Sequence, residues 1–164
     1  MRFQRINLND GDKIFMRGIN VSTETLSKGY AMCLDTATAG SFGARMTKPA
    51  TASLNLFVGL NSETNSVQVN DSFDVQTYGG CTFARVIQDT TAAGSVASGG
   101  VLIPSNADWN LKLSGQTAVG AVGLVVAATA VATATNTSAL TGVAVWLRAM
   151  TLLASAGIAA GLAS

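Results

Sequence analysis

The sequence predicts a mainly β protein: a small antiparallel β-barrel or sandwich with an extended N-terminal arm and an Ala/Gly-rich C-terminal tail. The stretch from Ser66 to Ile87 alternates apolar and polar residues in three short runs. Turn residues separate these runs at 70–72 and at Gly79-Gly80. A period of two between turn residues is typical of short antiparallel strands, and similar runs recur on both sides of this stretch.

Residues 66–87, the central stretch, are expected to form three strands of a sheet that has one apolar face and one solvent-exposed face. Asn, Asp and Ser bond their own backbone in turns, and paired glycines supply positive φ without steric cost. The alternation assigns four residues to the apolar face and three to the wet face: Val67, Val69, Phe73 and Val75 against Gln68, Asp74 and Gln76.

The elements before this stretch are also short and extended. Residues 3–8 and 13–16 flank a turn at 9–12 and read as two strands or an extended arm. A turn at Lys28-Gly29 leads into a bounded apolar run at 30–35, which predicts a buried strand. Residues 52–60 predict a strand with one strongly apolar face.

After the central stretch, residues 89–100 lack bulky side chains and predict a loop. Short strands are expected at 101–103, closed by Pro104, and at 108–113, with Trp109, Leu111 and Leu113 on one side. Two more are expected at 122–128 and 142–150, joined by a polar loop at 133–141. In the last strand, Val143, Val145 and Leu147 alternate with Ala144, Trp146 and Arg148.

These elements divide the chain into an N-terminal arm with strands (1–24), a β-barrel domain (25–150) and a C-terminal tail (151–164). At the end of the chain, small and apolar residues at 150, 153, 154, 157, 158 and 161 share one helical face by their spacing. Such a helix has little bulk and is not expected to be stable alone in water.

Composition excludes several classes of function. Charged residues make up 12% of the 164 residues, and the net charge is +1. This balance gives no reason to expect nucleic acid or an anionic membrane as partner. So few charges imply large surfaces that do not face bulk water, either subunit interfaces or lipid.

The chain contains no histidine. Ser-His-Asp triads, Cys-His dyads and His-containing zinc sites are therefore excluded. Six acids were considered for acid–base roles, and none forms a close pair: Asp35, Glu63, Asp71, Asp74, Asp89 and Asp108. Lys28 has no distinguishing context as a nucleophile. We therefore expect no catalytic, cofactor-binding or metal-binding residues, and no enzyme.

The two cysteines, Cys33 and Cys81, form no CxxC motif. They are interpreted as two buried thiols of a reducing cytoplasm, with a disulfide as the alternative if their strands are neighbours.

Residues 114–145 carry no charge and, with the run after Arg148, raise the alternative of a membrane anchor at 117–164. Alanine, glycine and threonine dominate these runs, so transfer to lipid would gain little. No aromatic belt or basic flank brackets them, and the β-branched valines favour buried strands.

The succession of strands resembles the small β-barrel decoration, or cement, proteins of tailed-bacteriophage capsids. The resemblance covers roughly residues 25–150: the strand after Lys28-Gly29, residues 56–60, the meander at 67–86, and the strands at 123–129 and 143–148. It implies a compact barrel, made in the host cytoplasm, that sits on the capsid surface of the virion as a trimer and braces the major capsid protein.

We therefore expect a non-enzymatic virion structural protein whose partners are the major capsid protein and itself. Another phage head or tail component, or a membrane- or envelope-anchored structural protein, is the alternative. The arm and the tail are the candidate interfaces, with these residues: Arg2, Phe3, Arg5, Met150, Leu153, Ile158 and Leu162. Arg45, Lys48 and Arg85 are either solvated loop charges or a contact for an acidic partner.

Overall fold

The structure, a computed structural model, describes residues 13–36, 44–88, 94–114, 121–127, 133–134 and 138–148. Within these ranges the chain is almost entirely strand, which confirms the mainly β prediction. The elements are β1 (Ile14–Asn20), β2 (Ala31–Leu34), β3 (Arg45–Thr47), a 3-10 turn (Leu54–Leu56), β4 (Phe57–Asn61), β5 (Ser72–Ile87), β6 (Gly94–Ser95), β7 (Val101–Pro104), β8 (Leu111–Ser114), β9 (Gly123–Ala127), β10 (Thr133–Ala134) and β11 (Leu140–Leu147).

Nine of these strands form one sheet in the order β1-β3-β2-β4-β5-β11-β9-β7-β8, and β6 pairs separately with β10. Additional β1–β5 and β5–β8 pairings close the sheet into two circuits of five strands that share β5. Each of the nine strands therefore has at least two partner strands, although some pairings cover only two residues. The β1–β3 and β5–β8 pairings are parallel, so the sheet is mixed where the sequence predicts an antiparallel one. The circuits are compatible with the expected barrel or sandwich.

Strand β5 differs most from expectation. Asn70 does form the expected turn, with φ 71°, but Val67 makes only an isolated bridge to Leu26. The Gly79-Gly80 pair does not end a strand: β5 is continuous through it, and Gly79 takes φ 93°. The first half of β5 pairs with β1 and β4, and the second half pairs with β11 and β8.

The side chain of Gln76 stabilises this continuous strand. Its Nε2 donates to the carbonyl oxygens of Tyr78 at 3.2 Å and Gly80 at 3.0 Å. Gln76 is therefore buried, and its assignment to a wet face is wrong. Val69, expected on the apolar face, is exposed in the turn, whereas Val67, Phe73 and Val75 are buried as expected.

The buried side chains form two clusters, one mostly from each circuit, and strands β2 and β4 contribute to both. Phe73, Val75 and Met46 belong to the cluster of the first circuit, and Leu102, Leu111, Val125 and Val145 belong to that of the second. Strand β2 lies between the clusters, since Met32 contributes to the first while Ala31 and Cys33 contribute to the second. This position explains why its apolar run lacks a polar face.

Most of the other predicted strands are present with shifted ends. The runs at 30–35, 101–103, 122–128 and 142–150 correspond to β2, β7, β9 and β11. The run at 52–60 is a strand only from Phe57 onward. Trp109 packs in the first cluster, apart from Leu111 in the second. Val96 is buried, so the interpretation of 89–100 as a segment without packing bulk is wrong there.

The predicted strand at 13–16 extends to Asn20 as β1, which pairs with β5 and, at Ile19 and Asn20, with β3. The predicted strand at 3–8 and the tail at 151–164 lie outside the described residues. In the described part of the chain no helix has the length and apolar character needed to cross a membrane. Residues 123–127 and 140–147, which fall in the candidate anchor, are strands.

Candidate interaction surface

The interface residues proposed from the sequence lie outside the ranges that the structure describes. These are Arg2, Phe3, Arg5, Met150, Leu153, Ile158 and Leu162. Their role in an interface stays a prediction. The described surface offers a different candidate for an interaction surface.

Five of the six acidic residues that could serve in acid–base chemistry are described, and each contacts another residue of the chain. Asp35 lies 3.6 Å from Arg45 and Asp74 lies 3.3 Å from Arg17 as ion pairs. The other three accept backbone hydrogen bonds: Glu63 from Asp74, Asp71 from Gln68, and Asp108 from Trp109. Asp89 lies outside the described residues. Among the described residues no group of three or more potential metal ligands is present.

Cys33 and Cys81 are free and buried, as the interpretation of two buried thiols predicts. Burial raises the pKa of the Cys33 thiol to about 12 and that of the Cys81 thiol to about 11. Both thiols are therefore protonated at neutral pH, the form that does not act as a nucleophile.

Two aromatic rings and two cations form a stacked ladder between the circuits. Tyr30 stacks on Trp109 with ring centroids 5.1 Å apart and planes 13° apart. The guanidinium carbon of Arg85 lies over the Tyr30 ring, 4.8 Å from its centroid. The Nζ atom of Lys48 lies over the Trp109 ring, 5.5 Å from its centroid. Such cation–π contacts contribute about 0.5–1 kcal/mol each at partly exposed sites.

Glu24 and Asn110 fix the two ends of this ladder. Glu24 pairs with Lys48 and accepts a hydrogen bond from the Trp109 indole N–H at 2.8 Å. Asn110 accepts a hydrogen bond from Arg85 Nε at 3.2 Å. Lys48 and Arg85, considered from the sequence as contacts for an acidic partner, therefore already have partners inside the chain. Arg45 likewise pairs with Asp35.

A row of large apolar side chains, exposed except for the half-buried Tyr78, crosses four neighbouring strands. Trp146 on β11 is paired with Leu124 on β9 and with Gly80 on β5. Its ring meets Tyr78 edge-on at 5.8 Å, and Tyr78 is paired with Ile14 on β1. We call Ile14, Tyr78, Trp146, Leu124 and Val126 the apolar strip.

The strip faces solvent although its members are large and apolar. The exposed fraction is 54% for Ile14, 37% for Trp146, 41% for Leu124 and 52% for Val126. Directly opposite residues of an antiparallel pair share a face, as do residues two apart on one strand. The strip is therefore a contiguous surface rather than a set of scattered exposed residues, and contiguous apolar surfaces often mark contact sites.

The backbone next to the strip is paired within the sheet to different extents. Strands β9 and β11 each pair with two neighbours, whereas β1 pairs with β5 along residues 14–19 and with β3 only at Ile19 and Asn20. An added strand from a partner needs an unpaired edge, which β9 and β11 offer less than β1 does. Binding at the strip would use apolar packing against Trp146, Leu124 and Val126.

The sequence pattern predicts the outward position of one member of the strip, Trp146. The alternation at 143–148 assigned Trp146 to the face opposite the buried valines, and an aromatic residue on an outward face is a usable signal. Tyr78 and Ile14 gave no such signal, because their proximity to Trp146 depends on pairing between distant strands.

Comparisons with known proteins provide no relative from which the role of the apolar strip could be inferred. No protein-family model matches the chain, and no curated protein matches it.

Proposed function

We propose that this chain is a non-enzymatic structural protein of a virion, a capsid decoration protein that binds the outside of the major capsid shell and stabilises it. The observation that carries the proposal is the apolar strip, which is contiguous and uncharged and lies on paired strands. The low charged fraction of 12% supports it, because such a chain gains by covering its surface.

The physical benefit comes from repeated burial in a shell. Covering apolar surface contributes about 25 cal/mol per Å² removed from water. Each copy contributes a modest amount, but attachment of an oligomer to several lattice points multiplies the affinity. A decoration protein can therefore bind firmly through small surfaces, provided that copies associate with each other as well as with the shell.

The proposal includes a homo-oligomer, a trimer by the family resemblance, at the capsid surface. The N-terminal arm with Arg2, Phe3 and Arg5 leads into β1, whose outward side chains Phe15 and Ile19 are exposed. That end of the molecule is a second candidate surface for contact with the major capsid protein, besides the apolar strip. A net charge of +1 gives no support for nucleic acid as a partner.

The test is co-sedimentation of the purified chain with shells assembled from the major capsid protein alone. The wild-type chain is expected to pellet with the shells and to raise their melting temperature. Replacing Leu124 and Val126 together by threonine puts residues of high strand propensity on an exposed strand while removing apolar surface. This double variant is expected to bind at least ten-fold more weakly.

Val69→Thr is the matched control, because Val69 is exposed to a similar degree but lies outside the strip. It is expected to bind as the wild type does. Failure of the wild-type chain to bind shells, or its flotation with lipid vesicles instead, would contradict the proposed function.

A further inference from the structure

Arg148 borders the apolar strip on the outward face of β11. Along this part of the chain the buried Val145 and Leu147 alternate with the exposed Trp146 and Arg148. The backbone N–H of Arg148 donates to the carbonyl oxygen of Val122 at 3.0 Å, so the ladder to β9 continues past the last residue of β11. Because residues two apart on a strand share a face, the Arg148 side chain leaves the sheet on the same side as the Trp146 ring.

The Arg148 guanidinium has no hydrogen-bond or ion-pair partner among the residues that the structure describes. By contrast, three other described cations have a carboxylate partner within the chain: Arg17, Arg45 and Lys48. A guanidinium carries five N–H donors in a planar fork that matches the geometry of a carboxylate. Arg148 can therefore bind a carboxylate that comes from outside the described chain.

The strands around Arg148 supply no such carboxylate. Strands β7, β8, β9 and β11 contain no Asp or Glu, and neither does β5 after Asp74. In the whole sequence no acidic residue follows Asp108, whereas two basic residues do. Asp108 itself accepts hydrogen bonds from the Trp109 N–H and the Asn110 side-chain amide, each at 2.7 Å. The strands of the second circuit therefore combine apolar and basic side chains without acidic ones.

This combination favours an apolar partner surface that carries a carboxylate. Packing against Trp146, Leu124 and Val126 removes water from the edge of the strip, and an ion pair formed there is stronger than one in bulk water. An apolar surface without a carboxylate would leave Arg148 partly desolvated and unpaired, which weakens binding. The strip thus supplies apolar burial, and Arg148 selects among apolar surfaces.

Two other occupants fit the charge pattern less well. The strip of a second copy offers no carboxylate, because β1, β9 and β11 contain none and Asp74 on β5 already pairs with Arg17. A contact between two strips would therefore place Arg148 of each copy against an apolar or basic surface. An anionic membrane is recognised by clusters of Lys and Arg rather than by one cation beside an apolar face.

We propose that the apolar strip and Arg148 together bind an apolar surface of the major capsid protein that carries an exposed Asp or Glu, and that Arg148 pairs with this carboxylate. The inference rests on the proposed function and names the chemistry of the shell surface that the strip contacts. Arg148 also orients the chain on the shell, because a bidentate pair between a guanidinium and a carboxylate forms in few geometries.

The first test measures co-sedimentation of Arg148 variants with shells assembled from the major capsid protein. Arg148→Gln removes the charge and is expected to weaken binding about three-fold. Arg148→Glu opposes the partner carboxylate with a like charge and is expected to weaken binding about ten-fold or more. Salt screens an ion pair at the rim of a contact, so the difference between the wild type and Arg148→Gln is expected to shrink between about 50 and 500 mM NaCl.

Lys28→Gln is the matched control, because Lys28 is an exposed cation outside the strip and the variant loses the same charge. It is expected to bind shells as the wild type does. Urea denaturation of all three variants checks that they are folded, since exposed substitutions change stability little. Binding of Arg148→Glu as tight as that of the wild type, or an equal loss of affinity in Lys28→Gln and Arg148→Gln, would overturn the proposal.

A second test identifies the partner of Arg148 directly. Arg148→Lys keeps the charge and supplies an amine, which attacks a carboxylate that a water-soluble carbodiimide has activated. An amide bond forms, and the carbodiimide leaves as a urea. Peptide mass spectrometry is expected to find position 148 joined to an Asp or Glu of the major capsid protein, above the background that the native lysines give in the wild type. Cross-links from position 148 only to another copy of this chain, or none, would overturn the proposal.

These outcomes are distinguishable from failure of the proposed function. If shells bind the chain equally well with and without the Arg148 charge, this inference alone is overturned. If the wild-type chain does not pellet with shells, the capsid role and this partner are contradicted together. Flotation of the wild-type chain with phosphatidylserine vesicles, lost in Arg148→Glu, would assign the site to lipid and contradict both.

Discussion

Gly29 occupies a turn in which the backbone leaves no room for a side chain. Its φ is +84°, and a Cβ added there would lie 2.1 Å from the carbonyl oxygen of Phe83. Gly99 has nearly the same φ, +83°, but an added Cβ would meet nothing within 4 Å. The two positions therefore separate the cost of the backbone conformation from the cost of a steric clash.

Gly29→Ala is expected to lower the free energy of unfolding by at least twice as much as Gly99→Ala. The left-handed conformation costs alanine about 1–2 kcal/mol at either site, and only Gly29 adds the clash. Urea denaturation followed by Trp fluorescence measures both. Equal losses of unfolding free energy in the two variants would show that the turn at Lys28-Gly29 shifts to relieve the clash without a cost in stability.

Glu24 makes the aromatic ladder sensitive to acid. The hydrogen bond from Lys48, followed by that from Trp109, lowers the pKa of Glu24 below its ordinary 4.5, while burial opposes the shift. Because the folded-state pKa is the lower one, the stabilisation is complete above pH 4.5 and is lost as pH falls through the folded-state value.

Glu24→Gln is therefore expected to be less stable than the wild type at pH 7, by less than about 1 kcal/mol because the pair is largely exposed. The difference should shrink as pH falls below 4.5 and through the folded-state pKa of Glu24. Denaturant midpoints of both proteins across this range test it. A difference that persists unchanged at low pH would contradict the assignment of the stabilisation to the carboxylate.

At the level of the element, β5 depends on a single buried amide. Replacing Gln76 by leucine keeps the approximate volume but leaves the carbonyls of Tyr78 and Gly80 without their donor. Each lost hydrogen bond costs about 0.5–1.5 kcal/mol, and more when the remaining group is buried. We expect Gln76→Leu to lower the unfolding free energy by about 2 kcal/mol.

The exposed Gln68 supplies the comparison for this prediction. Gln68→Leu is expected to change the unfolding free energy by less than about 0.5 kcal/mol, as exposed substitutions usually do. If the two glutamine variants are equally stable, the amide of Gln76 does not hold the strand together at Gly79-Gly80.

The same strand shows what the sequence can and cannot predict. Local patterns predicted β2, β7, β9 and β11: β2 and β7 from short bounded apolar runs, β9 from its β-branched valines and β11 from alternation. The alternation split β5 at Gly79-Gly80, since paired glycines usually mark a turn. Here Gly79 bends a continuous strand that passes from one circuit to the other, and that role depends on the non-local pairings with β1, β4 and β11.

The candidate surface was predictable only in part for the same reason. Low charge indicated that some surface is covered, and Trp146 fell on an outward face. The strip became visible only once strand pairing brought Ile14, Tyr78 and Leu124 beside Trp146. The aromatic ladder between Tyr30 and Trp109 was missed, because no local pattern joins two distant loops.

At the level of the whole molecule, the nine strands of the described sheet form two closed circuits that share β5, so each strand has at least two partner strands. The outward faces of the strands are therefore the main surfaces that the sheet offers to a partner. The closed circuits and the exposed apolar strip fit the proposed role as a component of a repeated shell.

The most direct measurement is an electron cryomicroscopy map of shells that are assembled from the major capsid protein and incubated with this chain. The account predicts several copies of the chain on the outer surface of the shell, with Trp146, Leu124 and Val126 covered. A map in which the shell carries no copy of the chain, or in which these side chains face solvent, would contradict it.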